Sequence, residues 1–164
     1  MSVSVDVLRT QIDYTAWANL RLLEAAAQIT PEELAHDFKT ADRSVIGTLA
    51  HIFAGDRIWL ARLSGAPVPD FISDADRDLA VLQSAWPALL DRWKSWAAEL
   101  TEEQAREHFA YTDLKGRQWR QPLWQLVLHV VNHGTHHRGQ ISGFLRSLGY
   151  TPPPLDLHYY YRKQ

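Results

Sequence analysis

The chain has 164 residues, 46% hydrophobic and 22% charged, with 17 basic side chains against 19 acidic ones and a formal net charge of -2. That length suits one hydrophobic core and one domain spanning 1–164, and the near-neutral charge provides no basic field for a phosphate backbone, so no nucleic-acid partner is expected. With no cysteine, disulfides, thiolate ligands and a cysteine nucleophile are excluded together.

The first residues carry neither a basic n-region nor an apolar h-region. No apolar run approaches the roughly 20 residues that span a bilayer, so a cytoplasmic protein without a membrane partner is expected. From Val5 to about Gln28 there is no proline or glycine, and Leu8, Ile12, Ala16, Leu20 and Leu23 recur at helical spacing, which predicts a first long helix. Thr30-Pro31-Glu32-Glu33 then combines a capping hydroxyl, proline at the first helical position and a capping-box glutamate, the signature of one short helical turn.

Ser44 caps a second predicted helix over 45–63, stopped by Gly65. Its main stripe is Val45, Leu49, Ile52, Asp56, Trp59 and Leu63. A third helix is predicted from near 73–76 to Leu100, with Pro87 expected to kink or split it. Thr101-Glu102-Glu103 repeats the capping logic, and the stretch from Glu107 to Arg120, turning through Leu114-Lys115-Gly116-Arg117, reads as a small surface β-hairpin.

The fourth long helix is predicted from Pro122 to Leu148, with Gly149 as its stop. Thr151-Pro152-Pro153-Pro154 forces an extended segment, and the aromatic tail beyond it is expected to fold back on the body. Four long helices joined by short connections make an all-α protein, a four-helix bundle with short connecting helical turns. Seven tryptophans suit a core with polar inclusions, because each indole brings an N–H to satisfy.

Four of the eight histidines fall within nine residues: His129, His133, His136 and His137. At about 100° per residue, the core stripe of the last helix is Leu126, Val130, His133, His137, Ile141, Phe144 and Leu148. His133 and His137 therefore stack one turn apart in the apolar seam, while His129 and His136 lie on its flank beside Gln140. Two imidazoles on one rigid support present nitrogen ligands of the kind zinc, nickel and iron accept. The same pair also suits a buried polar network bonded to tyrosines or waters. As a metal site it needs a further ligand from another helix. His36 and His108 fall in connecting regions and are expected to be solvated, and His51 lies well off the main stripe of its helix.

These residues resemble a known family. Asn132-His133-Gly134-Thr135-His136-His137-Arg138-Gly139-Gln140-Ile141 is similar to the last-helix signature of the DinB/YfiT-like proteins, and Leu49-Ala50-His51-Ile52 followed by Trp59-Leu60 resembles their first metal-histidine motif. Tyr14-x-x-Trp17-Ala18-Asn19-x-Arg21-Leu22-Leu23 and Pro154-Leu155-Asp156-Leu157 resemble the family's first helix and tail. The resemblance implies a bundle holding one divalent metal ion (zinc, nickel or iron) through His51, His133 and His137, with His136 outside the ligand set.

Three neutral histidines leave coordination positions open, as in catalytic sites. The resemblance further implies a metal-dependent enzyme that activates a low-molecular-weight thiol for transfer to an electrophile, on an unknown small-molecule substrate, as a homodimer. A metal-dependent hydrolase is the first alternative, although no His-Glu-x-x-His base is present on the last helix. A non-catalytic, metal-bound binding or dimerisation module is the second. Asp56, Asn132, Arg138 and Gln140 are candidates for supporting roles. Asp56 is expected to orient a histidine or join an ion pair, and Arg138 is expected at the surface or an interface.

Overall fold

A computed structural model describes residues 3–162. Helix α1, Val5–Ala26, opens on Ser4, whose side chain accepts from the Val7 amide. The short α2, Pro31–Leu34, has the capping box expected of Thr30 and Glu33. Ser44 caps α3, Val45–Leu63, by accepting from the Gly47 amide at 3.1 Å. Such a cap contributes about 1 kcal/mol by satisfying a helix-end donor.

The third long helix starts later than expected. A 3-10 turn at Asp74–Arg77 comes first, and Asp78 then caps α4, Leu79–Glu99. Arg57 holds that turn by donating to both carboxylate oxygens of Asp76 and to the carbonyls of Asp70 and Phe71. Helix α4 continues through Pro87 without splitting. The carbonyl that loses its partner belongs to the exposed residue Gln83, where water can replace the missing donor.

Thr101 and Gln104 form the box opening α5, Glu102–Arg106. Strands β1 (His108–Thr112) and β2 (Gln118–Pro122) pair antiparallel, with Phe109 opposite Gln121 and Tyr111 opposite Trp119. Helix α6, Leu123–Ser147, is the longest element, and Gly149 follows it at a φ of +89°. The tail ends in a short helix α7, Leu157–Tyr161, and does fold back: Tyr14 donates to the Leu155 carbonyl, and Tyr160 packs on Tyr14 and Trp17.

The long helices α1, α4, α3 and α6 each pack on two neighbours in that cyclic order. The protein is an all-α bundle with one small hairpin. One core cluster joins Leu8, Ile12, Leu49, Ile52, Leu82, Trp86, Leu126, Val127 and Ile141 from all four helices. Arg9 reaches from α1 to the end of α4 and donates to the carbonyls of Ala97, Ala98 and Leu100, capping groups a helix end leaves orphaned. No helix among the described residues is long and apolar enough to cross a membrane.

Arg138 is the clear departure from expectation. It is only 2% exposed, not at the surface. Its guanidinium donates to Asn19 and Thr135 and lies over the ring of Tyr14. Helix α6 packs on α1 as well as on α3, so it has a second buried face, and Arg138 is on it.

Candidate metal centre

His51 projects from α3 and His133 and His137 from α6, and these two helices pack directly on each other. The Nε2 atoms of His51 and His133 stand 2.9 Å apart. The three ring centroids are separated by 4.9, 4.4 and 4.5 Å. One ring nitrogen from each histidine lies within 4.8 Å of the others. Around a tetrahedral zinc with bonds of about 2.0–2.1 Å, ligand nitrogens stand about 3.3 Å apart. The cluster is already close to that spacing, so these residues fit a divalent metal ion.

Glycine makes the convergence sterically feasible. Gly55 lies one turn after His51, and a Cβ there would come within 3.2 Å of His133 Cε1. A glycine inside a helix costs roughly 0.5–1 kcal/mol relative to alanine. Here it lets the His133 ring lie against the backbone of α3.

A hydrogen bond sets which nitrogen of the His137 ring faces the cluster, and a carboxylate lies behind His51. His137 Nδ1–H donates to Gln140 Oε1 at 2.8 Å, leaving the lone pair on Nε2. Asp42 places Oδ1 3.3 Å from His51 Nδ1 and Oδ2 3.7 Å from His137 Nδ1. A carboxylate beside Nδ1 favours the proton there and raises the donor strength of Nε2, as outer-shell partners of metal histidines do. Burial, reinforced by the neighbouring histidines, pushes His133 down to about 3. Burial also lowers His51, outweighing the opposing pull of Asp42. Both rings are therefore neutral at pH 7, the state a metal ligand needs.

Asp42 has no periodic signal because it lies in the loop before α3. Lys39 and Arg43, on either side of it, have φ of 59° and 66°, and Asp37 ties both to itself through ion pairs. A Cβ on Gly47 would collide with the Asp42 carbonyl. The glycine lets this loop cross the first turn of α3 close enough to reach the histidines. Two glycines inside a helix otherwise rich in apolar residues were the available hint of close approach.

The remaining candidates sort plainly. Gln140 supports His137 as expected. His136 is exposed, with its ring 4.9 Å from that of His137 and no place in the cluster. Asn132 is exposed, as are His36 and His108. Asp56 neither orients a histidine nor makes a direct ion pair. It is 3% exposed and accepts from Asn19 Nδ2 and Trp86 Nε1 at 3.1 and 2.9 Å, while Asn19 Oδ1 accepts from Arg138. Burial pushes Asp56 up to about 7 against the opposing pull of Trp86, Arg138 and Asn19.

Comparison with known proteins agrees with this architecture. The sequence profile of the DinB family matches residues 1–164. The chain belongs to the DinB family. It is also 25% identical over 157 residues to the protein DinB of Bacillus subtilis (strain 168), covering 90% of each chain. The DinB-family bundle described here thus carries a candidate three-histidine metal site between α3 and α6.

Proposed function

We propose that this DinB-family protein binds one divalent metal ion through His51, His133 and His137 and is a metal-dependent enzyme that transfers a low-molecular-weight thiol to an electrophile. The observation that carries the reading is the convergence of three imidazole nitrogens at the partly open edge where α3 meets α6. A closed structural site would use four protein ligands, whereas three leave room for a small molecule.

A divalent ion in such a site lowers the pKa of a bound thiol or water. The protein's own part is to hold the three rings neutral and aimed. Asp42 and Gln140 fix His51 and His137 from outside, and Gly55 admits His133. With no cysteine in the chain, the sulfur nucleophile must arrive with a cofactor.

A hydrolase gains from a positioned base beside the attacking water. Asp42, the carboxylate beside His51 and His137, faces their Nδ1 atoms instead, which supports thiol transfer. Zinc, nickel and iron all suit a three-histidine set. The reading includes action as a homodimer in the cytoplasm. Exposed Tyr159 and Tyr161 are the side chains that favour a partner surface.

The test is a screen of metal-loaded protein with small thiols and an aryl halide electrophile, following thiol loss and thioether formation. Thioether formed by wild type and not by His133→Ala supports the reading. Ester turnover without thiol would indicate the hydrolase instead. Neither activity, with metal still bound, would leave a binding or dimerisation module.

A further inference from the structure

Helix α3 is buried along most of its length, but His51, Gly55, Trp59 and Arg62 are only partly so. At helical spacing these four share one edge, extending about 16 Å from the histidine centre towards the hairpin. The facing edge of α6 opens in the same direction, from buried His137 through half-buried His133 to exposed His129. Gly55 sits between the two ends, where the His133 ring lies against α3. Beyond it, Trp59 meets His129 edge-on at 5.4 Å and Tyr111 at 5.0 Å.

The far end is cationic. The Arg62 guanidinium lies over Trp59 at 4.8 Å and Tyr111 at 5.6 Å. Its Nη2 donates to the Thr112 carbonyl at 2.9 Å, and its other N–H groups have no acceptor among the described residues. Trp59, Arg62, Tyr111, Asp113, Lys115 and Arg117 are among the residues lining a shallow, open depression of about 380 Å³ there.

Three cations therefore meet one carboxylate, Asp113, which is already saturated. Asp113 accepts from the Lys115 and Arg117 amides, Arg117 Nε and Trp119 Nε1. Lys115 has no ion-pair partner among the described residues. A fixed fork of N–H donors stacked on aromatic rings is suited to a carboxylate or phosphate attached to a flat group.

We propose that this cleft binds a small anionic ligand with a planar portion, its acidic end held by Arg62 and Lys115 and its flat portion lying against Trp59. The anion end is built without the histidines, so the proposal stands apart from the metal reading.

The test uses naphthalene-2-carboxylate and its neutral amide, titrated calorimetrically into metal-loaded wild type, metal-free His51→Ala, Arg62→Gln and Lys115→Gln. The acid should bind wild type at least about tenfold more tightly than the amide, and the advantage should shrink as salt rises. His51→Ala should keep the preference, and Arg62→Gln should lose it. Lys115→Gln, an exposed change without consequence for folding, should reduce it. Equal affinity for acid and amide, or no binding of either, overturns the proposal. So does a preference that survives both cation changes. A preference that vanishes in His51→Ala places the acid on the histidines and also overturns it, whereas a wild type that takes up no added metal but keeps the preference overturns only the metal reading.

Discussion

The bundle encloses two polar clusters of opposite character. On one side of α3, Asp56 accepts from Asn19 and Trp86, its backbone carbonyl accepts from Trp93, and Asn19 relays to Arg138. Few polar atoms are left over there; among the described residues, Thr15 Oγ1 and Arg138 Nε lack partners. The adjoining void of about 10 Å³ is at the lower limit for a single water. On the edge facing α6, three histidines direct ring nitrogens at one another, and the rings of His51 and His133 are only partly buried. A cluster whose groups consume one another specifies packing, whereas one that leaves donor atoms converging beside an opening is arranged for a ligand.

That contrast can be broken by mutation. Asp56→Ala leaves the buried Trp86 and Asn19 donors unpaired, so it should cost about 2–6 kcal/mol in chemical denaturation. Its metal stoichiometry, measured on the folded fraction, should not change. Loss of metal from folded Asp56→Ala would show that the two clusters are coupled.

Asp42→Ala should do the reverse. Removing the carboxylate behind His51 and His137 should weaken metal binding by about 10–100-fold with little change in denaturation midpoint. Competition against a chelator reads this directly. An unchanged affinity would mean that Gln140 and packing alone orient the rings.

The two clusters also respond oppositely to pH. His133 is held near 3 against an ordinary value near 6.5, so the unfolded chain binds more protons between those values. Stability of the metal-free protein from this group should fall as pH drops through that window. Asp56 is raised to about 7, so the folded chain binds more protons from about pH 4 upward. Its contribution should fall as pH rises towards 7 and stay low above it. Urea denaturation of metal-free wild type and Asp56→Asn from pH 4 to 8 separates the two, because the asparagine variant should gain on wild type as pH rises. A constant difference across the range would contradict the assignment for Asp56. The smallest expected effect is that of His136→Ala, which should leave metal affinity within about threefold of wild type. A large loss would place His136 in the ligand set.

How far the sequence reveals these clusters depends on what each helix touches. The seam of α6 is readable because His133 and His137 interrupt an apolar stripe at helical spacing. Arg138 is not, because a wheel drawn for one buried face misses the second face that α6 turns to α1. His51 lies on the open edge of α3 rather than on its core stripe, so periodicity passes it over and only the family resemblance selects it. Asp42 acts from an irregular loop, where no period exists to be read. The capping residues Ser44, Thr30 and Thr101 mark their helix starts correctly, because a cap is a local hydrogen bond. The start of α4 is misplaced because the preceding 3-10 turn is held by Arg57 from another helix.

The central claim is that His51, His133 and His137 form one metal site and that the Asp56 cluster forms none. It is tested most directly by metal content, measured by plasma mass spectrometry on untagged wild type and the His51→Ala and His133→Ala variants after equilibration with zinc. The account predicts about one ion per wild-type chain and none retained stoichiometrically by either variant. Full occupancy in both variants, or a wild type that binds no added zinc or nickel, would contradict it and leave the histidines as a second polar core network.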